Sequence, residues 1–233
     1  MKQIMIFAAL AAILSSCHHI TGSGNIVTEK RPLQNFTSIY VSAGIDVEFT
    51  QADNFLVKVE ADDNVIKYIK TEKEGDNLRI GIKNNTSLTN AHLKVYVTCP
   101  VVKMLHSSSS SEIDINGRIT NSNLIIFDAS SSGSIKGEVD APSVNLEASS
   151  SGDISIGGRT KNLSAKASSG AAIKAIDLLS ENANVRASSS GSISAHASVS
   201  ITGNASSGAS ITYRGNASSS VNTSSGASVT KQN

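Results

Sequence analysis

The sequence predicts an all-β protein: a parallel β-helix (a solenoid of stacked coils) with about 18–22 residues per rung and a more irregular β-structure before it. Three observations predict this fold. A serine-rich unit recurs through the second half of the chain. Apolar and polar residues alternate as they do in strands, and one aliphatic residue keeps a fixed distance from every serine run.

Composition limits the size and the function class of the protein. The 233 residues suffice for one domain or at most two, and a hydrophobic content of 39% can support a core. A formal net charge of +1 argues against a nucleic-acid partner. Serine accounts for 41 residues, of which 35 lie in residues 101–233. That excess excludes a helical bundle and a transmembrane protein, but both a disordered stalk and an ordered repeat are compatible with it.

The N-terminus has the features of an export signal. The apolar run from Ile4 to Leu14 has signal-peptide length and is too short to span a bilayer. It ends in Leu14-Ser15-Ser16-Cys17, and small residues before a cysteine are typical of the lipobox of a bacterial lipoprotein. We therefore predict a signal peptide over residues 1–16, lipidation of Cys17 and a tether over 17–21; a plain secretory signal is the alternative.

The residues around Cys17 also bear on location and on the second cysteine. No aspartate follows Cys17, which favours the outer membrane of a Gram-negative bacterium and leaves the periplasmic and surface-facing sides both open. If Cys17 is acylated, Cys99 has no partner for an intrachain disulfide. Cys99 ends an alternating apolar run, which predicts a buried thiol.

Residues 22–100 carry the alternation of ordinary β-structure. Turn signals such as Ala43-Gly44 and Gly75-Asp76-Asn77 separate the runs, and residues 63–71 are compatible with one helical turn. The alternating apolar positions are Ile39-Val41, Ile45-Val47-Phe49, Val57-Val59, Leu78-Ile80-Ile82 and Leu93-Val95-Val97.

Residues 101–230 form a repeat that can be aligned on the residue opening each serine run. We call the aligned set the opening column: Ser107, Ala129, Ala148, Ala167, Ala187, Ala205 and Thr223. Six residues after each of these comes the isoleucine column: Ile113, Ile135, Ile154, Ile173, Ile193, Ile211 and Val229. A disordered linker has no reason to keep this spacing, so an ordered coil is favoured.

Stacked parallel strands explain the pattern physically. Strands that bury every second side chain cannot stand alone, so successive coils must stack at about 4.8 Å, and seven rungs rise roughly 34 Å. Both columns are then expected to face inward, with the serines between them forming a corner. The corner glycines are predicted to supply strained or positive-φ backbone there: Gly133, Gly152, Gly170, Gly191, Gly208 and Gly226.

Several short segments occur in an order that resembles one family, the auto-transporter adhesin head GIN domain. They are Gly22-Ser23-Gly24-Asn25-Ile26-Val27-Thr28-Glu29, Phe36-Thr37-Ser38-Ile39, Gly44-Ile45-Asp46-Val47, Thr50-Gln51, Val57-Lys58-Val59-Glu60-Ala61-Asp62 and Tyr68-Ile69-Lys70-Thr71-Glu72. This domain family has no known function, is common in Bacteroidetes-type bacteria and is often found in lipoproteins. The resemblance covers about residues 22–229 and implies a right-handed parallel β-helix, with 22–100 and 101–230 as parts of one domain. It offers no catalytic residues.

The expected function is that of a membrane-anchored, non-enzymatic lipoprotein of the cell envelope, acting as an adhesin or as a binding or scaffold module. No catalytic residue, metal or cofactor is expected. The expected partners are the outer membrane, through the lipid on Cys17, and a glycan or a cell-surface protein. Because no polar cap follows the last rung in the sequence, end-to-end homo-oligomers are also expected.

A polysaccharide-active enzyme, a lyase or glycosidase, is the alternative, because β-helices host such enzymes. That chemistry needs paired carboxylates, or a Ca²⁺ site with a basic residue nearby. The candidates are Asp114, Asp128, Glu147, Asp153 and Lys166. They appear at differing offsets in their rungs, which predicts isolated solvated charges instead of a catalytic pair. An ice-binding surface is disfavoured because the threonines of the rungs share no register.

Overall fold

The computed structural model describes residues 18–232, and it is a β-solenoid of about six turns built from stacked parallel strands. The predicted fold class is confirmed. The one helical element in the described residues is a 3₁₀ turn at Ile66–Tyr68, inside the segment that predicts a helical turn.

Nine strands build the N-terminal part. They are β1 (His18–Thr21), β2 (Ile26–Lys30), β3 (Ser38–Val41), β4 (Asp46–Gln51), β5 (Leu56–Asp62), β6 (Ile69–Glu74), β7 (Asn77–Ile82), β8 (Thr86–Thr89) and β9 (Leu93–Cys99). Strands β3 and β4 stack in parallel on β7 and β9, as rungs of the solenoid. Strands β2, β5 and β6 run antiparallel and cover its N-terminal end, where β1 pairs with β8 in a separate small sheet.

Twelve strands build the repeat. They are β10 (Met104–Ser107), β11 (Glu112–Thr120), β12 (Leu124–Ala129), β13 (Ser134–Ala148), β14 (Asp153–Ala167), β15 (Ala172–Ala175), β16 (Leu178–Ala187), β17 (Ser192–His196), β18 (Ser200–Ala205), β19 (Ser210–Arg214), β20 (Ser218–Thr223) and β21 (Ser228–Lys231). Their mutual pairings are all parallel. Each rung therefore has one strand before the serine corner and another after it.

Strand register confirms both predicted columns residue by residue. Each member of the opening column pairs with the next, from Ser107 with Ala129 through to Thr223. Each member of the isoleucine column does the same, through to Val229. Both columns also continue into the N-terminal part, where Val41 pairs with Ser107 and Val47 with Ile113. Val41 and Val47 keep the six-residue spacing, so the first corner lies at residues 42–44.

The two columns line a single hydrophobic core that runs through the described chain. Ile154 is fully buried and Ile173 is 1% exposed, as their inward positions predict. Ser107 is also fully buried, and its hydroxyl donates to the carbonyl oxygen of Ser111 at 2.7 Å. In the last described rung Thr223 is exposed. Buried residues of the N-terminal part and of the repeat therefore share this one core.

The serine corner is a tight turn with two left-handed residues in its centre. In one rung, the N–H of Gly133 donates to the carbonyl of Ser130 at 2.8 Å, and Ser131 and Ser132 between them have φ values of 49° and 62°. Positive φ at both central residues is typical of a type I′ turn. The turns are also joined between rungs, since the N–H of Ser132 donates to the carbonyl of Ser150 at 3.1 Å.

The six corner glycines are predicted to supply positive-φ backbone, and this prediction is right for three of them and wrong for the other three. Gly170, Gly208 and Gly226 have positive φ. In the longer rungs the same turn position is held by Ser132, Ser151 and Ser190, and the glycine comes one residue later. Gly133 is there for space: an added Cβ would lie 2.3 Å from the carbonyl oxygen of Ser107 in the previous rung.

Candidate binding face

One lateral face of the solenoid carries a single column of charged side chains. The residue just before each member of the opening column stacks in register with its counterparts in the rungs above and below. Two carboxylates, Asp128 and Glu147, are followed by two cations, Lys166 and Arg186. Asp128 is half-buried and the other three are exposed. We call these four residues the charged column.

The surroundings of the charged column on this face are uncharged. The outward column two residues earlier in each rung contains Ile126, Asn145, Ser164 and Asn184. The column four residues earlier contains Leu124, Ser143, Asn162 and Asn182. Along these four rungs the four charges therefore stand between uncharged columns and dominate the local electrostatics.

Ring contacts hold the N-terminal end of the charged column. The guanidinium carbon of Arg79 lies 5.1 Å from the centre of the Tyr40 ring, and that ring lies 5.3 Å from the ring of His106. His106 Nδ1 is 3.0 Å from Asp128 Oδ2. These four residues occupy successive positions of one stack. The carboxylate of Asp128 is thus held on one side by His106, which in turn contacts the Tyr40 ring beneath the Arg79 guanidinium.

The other three members of the charged column are freer. Asn145 Nδ2 donates to Glu147 Oε1 at 3.0 Å along the same strand. Lys166 and Arg186 form no ion pair with any other described residue. Two exposed cations on adjacent rungs are therefore available to a partner.

The register also corrects the prediction that the candidate carboxylates stand at differing offsets. Asp128 and Glu147 are direct partners on neighbouring strands, and Lys166 takes the same position on the next rung. A small surface cleft of about 160 Å³ opens at these three residues, with Ser149 and Ser168 also lining it. A carboxylate pair beside a lysine is therefore present, although the offsets as read from the sequence did not predict it.

The remaining two candidates lie on a second lateral face, on strands that follow the serine corner. Lys136 Nζ is 2.9 Å from Asp114 Oδ1 and also pairs with Glu112. Lys174 Nζ is 2.8 Å from Asp153 Oδ2. These charges are therefore paired between neighbouring rungs and are not isolated as the sequence predicts, and such partly exposed surface pairs contribute little stability.

Two further carboxylates extend this second face toward the N-terminus. Asp46 is the register partner of Glu112, and Glu48 is the partner of Asp114. Burial, and then repulsion from Glu112, raise the pKa of Asp46, whereas the hydrogen bond from Lys94 holds the pKa of Glu48 below its usual range. Within residues 18–232 no group of three or more His, Cys, Asp or Glu side chains is arranged to hold a metal ion.

A second cleft, of about 400 Å³, lies at another corner of the solenoid. It is lined by side chains of both charge signs, among them Asp140, Arg159 and Glu181, together with His196. His196 Nδ1 is buried and has no hydrogen-bond partner in the described part of the chain. Ser180, also in the cleft, donates its hydroxyl to the carbonyl oxygen of His196. The cleft can receive a small polar ligand, and the side chains that line it include no Phe, Tyr or Trp.

Asp62 is a structural anchor that the sequence did not predict. It is only 1% exposed, and its carboxylate accepts hydrogen bonds from the backbone N–H groups of His92, at 2.7 Å, and Gly24, at 2.6 Å. These bonds, that from His92 above all, hold the pKa of Asp62 below its usual range although burial opposes them. Asp62 thereby fixes the segment after β1 to the rest of the chain. An aspartate at the end of an alternating strand carries no sequence signal for this role.

The remaining sequence predictions concern the two cysteines. The signal peptide over 1–16 and the lipidation site Cys17 lie outside the described residues. Cys99 is a free and fully buried thiol, and burial raises its pKa to about 12. Among residues 18–232 there is no helix of the length and hydrophobicity needed to cross a membrane.

The family of the chain follows from its sequence. The family described as "Putative auto-transporter adhesin, head GIN domain" matches residues 35–217. This match spans well over half of the chain, so the protein belongs to that family. No curated protein matches the sequence.

Solved structures show the same fold at low sequence identity. A "putative adhesin" from Bacteroides fragilis has a TM-score of 0.85 at 17% identity, with 91% of this chain and 100% of that chain covered. A "putative lipid binding protein" from Parabacteroides distasonis has a TM-score of 0.73 at 24% identity, with 93% and 100% covered. A "putative adhesin" from Parabacteroides merdae has a TM-score of 0.72 at 16% identity, with 92% and 99% covered.

Proposed function

We propose that this protein is a non-enzymatic binding module of the cell envelope, an adhesin held at the outer membrane by a lipid on Cys17. The observation that carries the proposal is the charged column, four charges at fixed spacing on a sheet face whose flanking columns are uncharged. A stacked sheet fixes the spacing of the backbone positions that carry these charges before binding, and such preorganisation lowers the entropy lost when a partner docks. The family description and the names of the similar structures support the same class of function.

Binding through this face is tested with residues 18–233 and a variant in which the charged column is neutral. The variant carries Asp128→Asn, Glu147→Gln, Lys166→Gln and Arg186→Gln. A glycan array and a pull-down from bacterial surface fractions are expected to give partners for the wild type that the variant loses. A matched variant at the 400 Å³ cleft, Asp140→Asn with Glu181→Gln, should keep them. Equal binding by the neutral variant would contradict the assignment of the face.

Anchoring is tested separately with the two cysteines. Cys17→Ala is expected to abolish palmitate labelling and to release the protein from the membrane fraction, because that thiol would carry the lipid. Cys99→Ala is the matched control and should keep both properties, since Cys99 is buried in the core. Unchanged palmitate labelling of Cys17→Ala would refute the anchor.

A second candidate function is polysaccharide cleavage, and the pairing of Asp128 with Glu147 favours it. Retaining glycosidases hold two carboxyl groups about 5–5.5 Å apart, and neighbouring strands are separated by a similar distance, about 4.8 Å. The test is to incubate any glycan found on the array with the protein and to follow new reducing ends or unsaturated products. Chain shortening that Glu147→Gln abolishes would establish an enzyme; binding without shortening supports the adhesin.

A further inference from the structure

We propose that the partner of the charged column is a second copy of this chain, docked face to face and antiparallel, so that the protein joins two facing membranes. The inference rests on the proposed function, because it names the partner of that adhesin. It is carried by the order of the four charges along the stack, two negative and then two positive.

The order of charges is self-complementary under one of the two possible symmetries. A two-fold axis that lies between the faces and runs along the strands reverses the order of the rungs. It places Asp128 opposite the second copy's Arg186, and Glu147 opposite its Lys166. Because the axis is two-fold, every contact occurs twice, once in each direction. All four charges of both copies are therefore paired across one isologous interface.

The other face-to-face symmetry is excluded by the same charges. A two-fold axis along the solenoid would place each rung opposite the same rung of the second copy. Asp128 would then face Asp128 and Lys166 would face Lys166, and like charges placed opposite each other disfavour a complex. The charged column therefore selects the antiparallel arrangement.

The neighbours of the charged column do not oppose this contact. In the antiparallel arrangement His106 meets Asn204, since each lies two and a half rungs from the centre, and no like charges face each other. The adjacent column brings Ile126 opposite Asn184 and Asn145 opposite Ser164, all uncharged pairs. Two sheets can approach to about 10 Å with such side chains between them.

The position of the N-terminus gives the antiparallel pair a consequence for adhesion. Strand β1 lies at the N-terminal end of the solenoid, where it pairs with β8, and Cys17 directly precedes it. In an antiparallel pair these ends point in opposite directions. The centre of the charged column is four and a half rungs from the rung of Arg79, or about 22 Å, so the two N-terminal rungs lie about 43 Å apart. Two lipid anchors placed this way fit membranes that face each other.

Reciprocal charge reversal tests the pairing in solution. Residues 18–233 are compared by sedimentation velocity at low salt as wild type, as Asp128→Lys/Glu147→Lys and as Lys166→Glu/Arg186→Glu. The wild type is expected to dimerise, and each variant alone to lose at least about tenfold in affinity because like charges then meet. An equimolar mixture of the two variants is expected to recover the dimer, since every contact again joins opposite charges.

Two controls separate a specific contact from a change in net charge. The fourfold variant that combines both reversals keeps the self-complementary order and is expected to dimerise like the wild type. Asp140→Lys/Glu181→Lys changes the net charge as much as Asp128→Lys/Glu147→Lys, but at the large cleft, and is expected to leave the dimer intact. A monomeric wild type, or variants that fail to complement in the mixture, would overturn the proposal.

Vesicles that carry the lipidated full chain test the adhesive arrangement. Wild-type vesicles are expected to cluster, vesicles with either reversed pair to stay dispersed, and the two reversed populations to cluster with each other. Clustering should weaken as salt rises, because the Debye length falls to about 3 Å at 1 M. Dispersed wild-type vesicles that still bind glycans or cell-surface fractions would overturn homophilic pairing and leave the proposed adhesin standing. Loss of both kinds of binding would refute the adhesin as well.

Discussion

The left-handed serines of the corner lead to a quantitative prediction about stability. Ser132 and Ser190 are exposed and have φ values of 62° and 60°, at the turn position where the shorter rungs already have glycine. A non-glycine residue in the left-handed region costs about 1–2 kcal/mol. Glycine costs about 0.5–1 kcal/mol through its greater freedom in the unfolded chain. Ser132→Gly and Ser190→Gly should therefore each stabilise the fold by about 0.5–1 kcal/mol.

The two substitutions can also be combined. The positions are three rungs apart, about 14 Å, so their effects should add to within about 0.5 kcal/mol. A gain of about 1–2 kcal/mol corresponds to a rise in Tm of roughly 2–8 °C for a domain of this size. Thermal unfolding followed by circular dichroism, with urea unfolding beside it, measures the change.

Matched controls isolate the backbone effect from loss of the hydroxyl. Ser130→Gly removes a serine that does not have positive φ, and it should destabilise by about 0.5–1 kcal/mol. The reverse change, Gly170→Ser, puts a side chain on a left-handed residue and should also destabilise. The reasoning fails if Ser190→Gly destabilises the protein as much as Ser130→Gly does.

Four further measurements test the core, the corner, the N-terminal anchor and the buried thiol. Ile154→Ala should cost about 2–5 kcal/mol in urea unfolding, because the side chain is fully buried; a loss below 1 kcal/mol would contradict the inward column. Gly133→Ala should lower Tm because its Cβ would lie 2.3 Å from the carbonyl oxygen of Ser107, and an unchanged Tm would refute that crowding. The pKa of Asp62 is lower in the folded state, so its contribution to stability is complete above its ordinary pKa of 3.8 and is lost as the pH falls through the folded value. Asp62→Asn should flatten the acidic part of the curve of unfolding free energy against pH. A variant curve parallel to that of the wild type would exclude a stabilising role for the Asp62 carboxylate. Cys99, with its pKa near 12, should react with iodoacetamide only after unfolding, whereas rapid labelling of the native protein would show an accessible thiol.

The repeat was predictable because each rung supplies the same physical constraint several times. A single Ile six residues after an Ala, such as Ile154 after Ala148, is weak evidence for a stacked-strand fold. Seven such pairs at similar spacing require stacked strands, and the register bears out every pair. The continuation to Val41 and Val47 was equally present in the sequence, but the turn between them contains only one serine, so a search for serine runs passes over it.

The corner and the N-terminal end were less predictable because tertiary contacts override local preference there. Glycine is the ordinary choice for positive φ, yet Ser132 takes that conformation while Gly133 fills a space too small for a Cβ. Sequence preference cannot separate these two reasons for a glycine. Asp62 is a similar case, because its burial depends on two backbone N–H groups, those of Gly24 and His92, that the fold brings from distant segments.

The charged column is encoded in the sequence, but it can be recognised only by comparison with the inward opening column. The face of the solenoid on which a charged residue lies is determined by its offset from the nearest inward column. Asp128, Glu147 and Lys166 each stand one residue before an alanine of the opening column, so in that frame their offset is the same. Compared together with Asp114 and Asp153, which follow the corner and face another side, they look scattered. The order of signs along one column therefore becomes visible only after the register is fixed. That order is what distinguishes this face from the other solvated surfaces of the protein, and it is why a second copy of the chain fits it.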